Sequence, residues 1–77
     1  MKVKVYSTAT CPWCMKVKEF LTRHKVKFQN LDVGENEKAL EEMMQKTGQR
    51  GVPVIDVDGK VIVGYDEQAL KKALKMK

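Results

Sequence analysis

Two cysteines stand three positions apart in Thr10-Cys11-Pro12-Trp13-Cys14, and the 77-residue chain has no others. At the start of a helix that spacing puts the sulfurs about one turn apart, close enough to form a disulfide and to dissolve it again. Reversible thiol–disulfide exchange is the chemistry it suits. A bare C-x-x-C also supplies half of a tetrahedral zinc site or a structural clip, so the flanking elements decide.

Upstream, Val3 and Val5 alternate with Lys2 and Lys4 as far as Tyr6, the period of a strand. Downstream, Val17, Phe20, Leu21 and His24 follow helical spacing. The cysteines therefore sit at a strand–loop–helix junction. With Cys11 as the N-cap, Pro12 takes the first helical position, where its missing N–H costs nothing and its fixed φ suits the turn. The amides of Trp13 and Cys14 then point at the Cys11 sulfur. Unpaired amides and the positive end of the helix favour a thiolate there, making Cys11 the expected nucleophile. Cys14 lies one turn in, in line with Val17 and Leu21, and is the expected resolving thiol. Trp13 is expected to be exposed, covering the sulfur or meeting substrate. Lys16 and Lys18 are read as a solvated face contributing solubility.

The remaining elements must carry this junction. Lys27 to Val33 reads as a second strand, with Phe28 and Leu31 as its core residues. A helix from about Glu35 to Thr47 has Leu40, Met43, Met44 and Thr47 at helical spacing and Gly48 as its stop. Its adjacent methionines are read as core filler, having no soft ligand beside them. Pro53 to Val57 and Lys60 to Val63 form a hairpin across Asp58-Gly59. A last helix starts at an Asp66 cap, with Leu70, Ala73 and Leu74 on its apolar face. The order β-α-β-α-β-β-α predicts an α/β domain over residues 1–77: a parallel first pair of strands, a hairpin completing a four-stranded mixed sheet, and helices on both faces.

The length permits one small domain with a modest core. A single cysteine pair cannot be the framework of a disulfide-rich secreted miniprotein, and Met1 to Tyr6 lacks the apolar run of a signal peptide, so a reducing cytoplasm is the expected compartment. No membrane span is expected. The net charge of +5 comes from dispersed lysines, with Lys71, Lys72, Lys75 and Lys77 gathered at the end. Without interleaved exposed aromatics or a nucleic-acid motif, these read as a solvated surface whose positive field favours acidic partners or an anionic tripeptide. His24 is expected to end the first helix.

Three segments together resemble the glutaredoxins of the thioredoxin superfamily, and the resemblance covers essentially the whole chain. Cys11-Pro12-Trp13-Cys14 is similar to the family's C-P-[YFW]-C; Gly51-Val52-Pro53 is placed like its T-V-P; Gly64-Tyr65-Asp66 is placed like its G-G-x-D. The resemblance implies a cis peptide before Pro53 facing the dithiol, with the Val52 backbone offered to an extended disulfide substrate. It also implies a glutathione site, its γ-glutamyl end received near Gly64, Tyr65 and Asp66 at the start of the last helix. The chain departs from the pattern at Thr8, where many glutaredoxins carry a lysine, at Gly51, and at Val63. Gln49 and Arg50 are candidates to replace the lost anion binding.

The expected activity is dithiol oxidoreduction of protein disulfides or glutathione mixed disulfides through Cys11 and Cys14. Pro12, Trp13 and Pro53 support the site, and Arg50, Val52, Gly64, Tyr65 and Asp66 bind glutathione or substrate. No tightly bound cofactor or metal is expected in a monomer, and glutathione is the expected reductant or substrate. One alternative is a redoxin reduced by thioredoxin reductase that serves ribonucleotide reductase, as some short proteins of this shape do. The other is a metal or iron–sulfur binding module sharing the cysteines across a dimer.

Overall fold

In the computed structural model, which describes residues 2–49 and 51–75, the alternating β-branched residues of the N-terminus form β1 (Val3–Ser7). There follow α1 (Pro12–Arg23), β2 (Gln29–Asp32), α2 (Glu37–Thr47), β3 (Val54–Val57), β4 (Lys60–Val63) and α3 (Glu67–Ala73). The sheet runs β2-β1-β3-β4. β1 pairs parallel with β2, Lys4 opposite Gln29 through Ser7 opposite Asp32. β1 and β3 are antiparallel, as are β3 and β4. The crossover through α1 makes the first pair parallel, and the Asp58-Gly59 turn makes the last pair antiparallel. Both turn residues have positive φ, 51° and 94°, as a two-residue hairpin matched to strand twist requires.

Because side chains alternate along a strand, the two central strands feed two cores. On one face Val3, Val5, Ile55 and Val57 meet Val17, Phe20 and Leu21 of α1 and Leu70 of α3. On the other, Tyr6 and Val54 meet Ala39 and Met43 of α2, together with Val33. The predicted architecture is the one observed. Among the described residues, no helix is long and apolar enough to cross a membrane.

Two local expectations change. β2 is shorter than Lys27 to Val33, because it is an edge strand that pairs with β1 only over Lys4 to Ser7. Phe28 and Leu31 are half-buried, one packed against each core, while Val33 just past the strand is buried. On α2 the buried residues are Ala39 and Met43, while Leu40, Met44 and Thr47 are half-buried beside them and do not form its centre. Thr47 instead donates its hydroxyl to the carbonyl oxygens of Met43 and Gln49, both at 2.9 Å, securing the turn after the helix. Gly48 closes α2 with φ 72°.

Lys46 meets a set of polar groups that hydropathy does not reveal. Its ammonium donates to Asp56 of β3 at 2.5 Å, to the Tyr6 hydroxyl at 2.9 Å and to Glu42 at 3.0 Å. Tyr6 donates to the same Glu42 oxygen at 2.6 Å, and Lys4 reaches it at 3.2 Å. Two cations and two carboxylates thus tie α2 to both central strands. The three donors hold the Glu42 carboxyl down at about 2. Burial alone would raise Asp56, but the Lys46 ammonium, the Gly59 amide and the Lys4 charge together outweigh it and lower that carboxyl.

Candidate active site

The loop after β1 delivers Cys11 to the head of α1. Cys11 is the N-cap with φ −98° and ψ 108°, and Pro12 opens the helix. The Cys11 Sγ accepts the backbone N–H of Cys14 at 3.2 Å. Of the two amides expected to address this sulfur, Cys14 makes the hydrogen bond. Both thiols are free, and they differ in surroundings: Cys11 is half-buried, and Cys14 has no exposed surface. Burial, then the contact with Cys11, pushes the Cys14 thiol up to about 11, against the opposing pull of the Thr8 backbone and Lys18.

Trp13 is 55% exposed, between the two cysteines. Its ring lies 6.3 Å from that of Tyr65, and Tyr65 in turn makes an edge contact with Phe20 at 6.3 Å. Lys16, expected to be merely solvated, lies over the Trp13 indole with its ammonium 4.8 Å from the ring centroid. The segment before α3 is therefore packed beside the dithiol helix. Gly64, with φ 84°, donates its N–H to the Pro53 carbonyl at 2.8 Å. The Val52–Pro53 peptide is cis. Contacts thus link Trp13 to Tyr65 and Gly64 to Pro53, bringing segments more than forty residues apart in sequence to one end of the sheet.

Asp66 caps α3, accepting the Ala69 N–H at 3.1 Å. Gly64, Tyr65 and Asp66 line an open cleft of about 680 Å³ with Val63, Glu67, Gln68 and Lys71. Val52 is half-buried against the α2 core. Gln49 is folded back: its Oε1 accepts the Gly51 N–H at 2.8 Å. A Cβ at position 51 would approach that oxygen to 2.5 Å, so Gly51 leaves room for this local turn. Arg50 lies outside the described residues.

The Lys46 cluster and the Lys16–Trp13 contact escaped the reading from sequence. Asp56, a carboxylate inside the apolar run Val54-Ile55-Asp56-Val57, was the available signal, since a charge on an inward strand needs a partner. The i,i+4 pair Glu42–Lys46 was the other.

This topology, with a free C-x-x-C dithiol heading the first helix, defines a thioredoxin-fold protein of the glutaredoxin-like kind. Residues 3–62 match the family model described as Glutaredoxin. An uncharacterized glutaredoxin-like protein in a rubredoxin operon of Clostridium pasteurianum is 43% identical over 72 residues, covering 94% of this chain and 96% of that one. Glutaredoxin 3 of Escherichia coli strain K12 is 37% identical over 65 residues, covering 84% of this chain and 78% of its own. The crystal structure of a glutaredoxin from Archaeoglobus fulgidus superposes with a TM-score of 0.86 at 32% identity, covering 96% of this chain and 86% of that one. The chain belongs to the glutaredoxin family, whose members carry out thiol–disulfide oxidoreduction.

Proposed function

We propose that this protein is a dithiol oxidoreductase in which Cys11 attacks and Cys14 resolves. The asymmetry of the two thiols carries the reading: one sulfur at a helix N-cap receiving an amide, the other sealed beneath it and held protonated. The Cys11 thiolate attacks one sulfur of a substrate disulfide, forming a mixed disulfide and expelling the other sulfur as a thiolate, which takes up a proton. Cys14 then loses its proton and attacks the Cys11 sulfur, releasing the second substrate thiol. Two electrons have passed to the substrate, and Cys11–Cys14 is left as an intramolecular disulfide for a donor to reduce.

In this reading Pro12 and Trp13 shape the approach to Cys11, and the Val52 backbone before cis-Pro53 pairs with an extended substrate. Glutathione places its γ-glutamyl carboxylate at the head of α3 and its ammonium on Asp66, with Gly64 and Tyr65 lining the cleft. Arg50 is the proposed cation for the other end of the tripeptide. The protein works as a cytoplasmic monomer with disulfide-bearing proteins as partners.

A second donor is favoured by one feature. Thr8 stands where many glutaredoxins carry a cation, and among the described residues nearby the Gln49 side chain is turned back onto the Gly51 backbone through both its oxygen and its nitrogen. Reduction by thioredoxin reductase, with ribonucleotide reductase as a recipient, is the corresponding reading. NADPH consumption with a small disulfide decides between them, run with glutathione plus glutathione reductase and, separately, with thioredoxin reductase. Turnover only in the first arm supports the glutathione site, and turnover only in the second supports the alternative. No turnover in either overturns the oxidoreductase reading.

A further inference from the structure

One face of α1 leads away from the dithiol. Trp13, Lys16, Phe20 and Arg23 recur at helical spacing along it, spanning roughly 15 Å at the rise of an α-helix. At its near end Trp13 is exposed, with the Lys16 ammonium on its ring. Beyond it, Lys16, Glu19, Phe20, Arg23 and Tyr65 line a groove of about 240 Å³ whose floor is the edge contact between Phe20 and Tyr65. The charges facing it are two cations and one carboxylate, and Glu19 is drawn to Arg23 at 3.6 Å. Both side chains of that pair are about 70% exposed (69% and 71%), so a competing carboxylate can displace Glu19 at little cost.

We propose that this face of α1 is a docking groove for an acidic polypeptide segment flanking the substrate's disulfide. The inference rests on the dithiol reading and adds to it the class of substrate. An extended chain rises about 3.3 Å per residue, so the whole face from Trp13 to Arg23 accommodates roughly four to five residues on one side of the reacting cysteine, about three of them over the groove itself. A carboxylate close to that cysteine meets Lys16, one at the far end meets Arg23, and an apolar side chain between them rests on Tyr65, backed by the buried Phe20 ring. The cations add electrostatic steering to the contact, which salt weakens.

The test uses the full chain, reduced beforehand and mixed in single turnover with two synthetic peptide disulfides of equal length, one carrying glutamates and the other lysines beside the cysteine. Hydroxyethyl disulfide is the neutral control. The glutamate peptide should react about 5- to 10-fold faster at low salt, the scale of one or two exposed ion pairs, and the difference should shrink at high salt. Arg23→Glu should cancel or reverse the preference and leave the reaction with hydroxyethyl disulfide unchanged. Equal rates for the two peptides, or a preference that survives Arg23→Glu, overturn the groove. Failure of the wild-type protein to reduce hydroxyethyl disulfide overturns the dithiol reading and the groove with it.

Discussion

Cys11 and Cys14 share one helical turn and differ in what surrounds their sulfurs, and that difference sets their reactivity. A thiol pushed up to about 11 from 9.0 holds about a hundredth of an ordinary cysteine's thiolate at neutral pH. In a Cys11→Ser variant, alkylation of Cys14 should therefore be slow at pH 7 and climb about tenfold per pH unit until the thiol titrates. A plateau near pH 8 would contradict a sealed thiol. Activity divides the same way: Cys11→Ser should abolish turnover of every disulfide, whereas Cys14→Ser should keep reduction of glutathione mixed disulfides, where glutathione itself completes the exchange. Protein-disulfide turnover by the Cys11 variant would sink the mechanism. Trp13 shows how far local sequence reaches at this scale. Its exposure followed from its place between the cysteines, but its partners, Lys16 one turn on and Tyr65 over fifty residues away, follow from packing.

The N-cap of α3 illustrates two roles that share one side chain. Asp66 accepts the Ala69 amide, and the same carboxylate is the proposed partner of a ligand ammonium. Asp66→Ala should cost about 0.5–2 kcal/mol, the usual loss of a cap, read by urea denaturation. Asp66→Ser retains a capping oxygen and removes the charge, so it should unfold like the wild type while its KM for glutathione rises severalfold. An unchanged KM in that variant would reduce Asp66 to a cap. Most helix starts and stops were legible because each depends on one or two adjacent residues: Cys11 and Pro12, Gly48, Asp66; the start of α2, expected at about Glu35, falls at Glu37, after an Asn36 cap. The limits of β2 were not legible, because an edge strand extends only as far as its single neighbour offers partners.

Across the whole molecule, α2 is held to the sheet by a small apolar contact and a compact ionic cluster. Ala39 and Met43 are its buried residues; Lys46 and Glu42 complete the attachment through Tyr6, Asp56 and Lys4. Glu42 has a carboxyl held at about 2, below its ordinary 4.5. Its contribution to stability is therefore present above the ordinary value and lost as pH falls through the window between 4.5 and about 2. The side chain is 40% exposed, so solvent screens the effect. Melting temperatures taken from pH 6 down to pH 2 should fall more steeply for the wild type than for Glu42→Gln. Parallel curves would show that the cluster does not help hold α2 in place.

The order of elements, the parallel first pair, the hairpin turn, the caps and the dithiol at a helix start were all determined by the sequence, because each is encoded in periodicity or in neighbours a few residues apart. Tertiary structure alone decided which groups meet across long separations. Gly64 reaches the Pro53 carbonyl, Tyr65 packs between Trp13 and Phe20, and Lys46 finds Asp56 and Tyr6. Such contacts depend on strand register and on how each helix is turned against the sheet. A lysine that points to solvent and one that bridges two strands look alike in a sequence; only the packed fold distinguishes them.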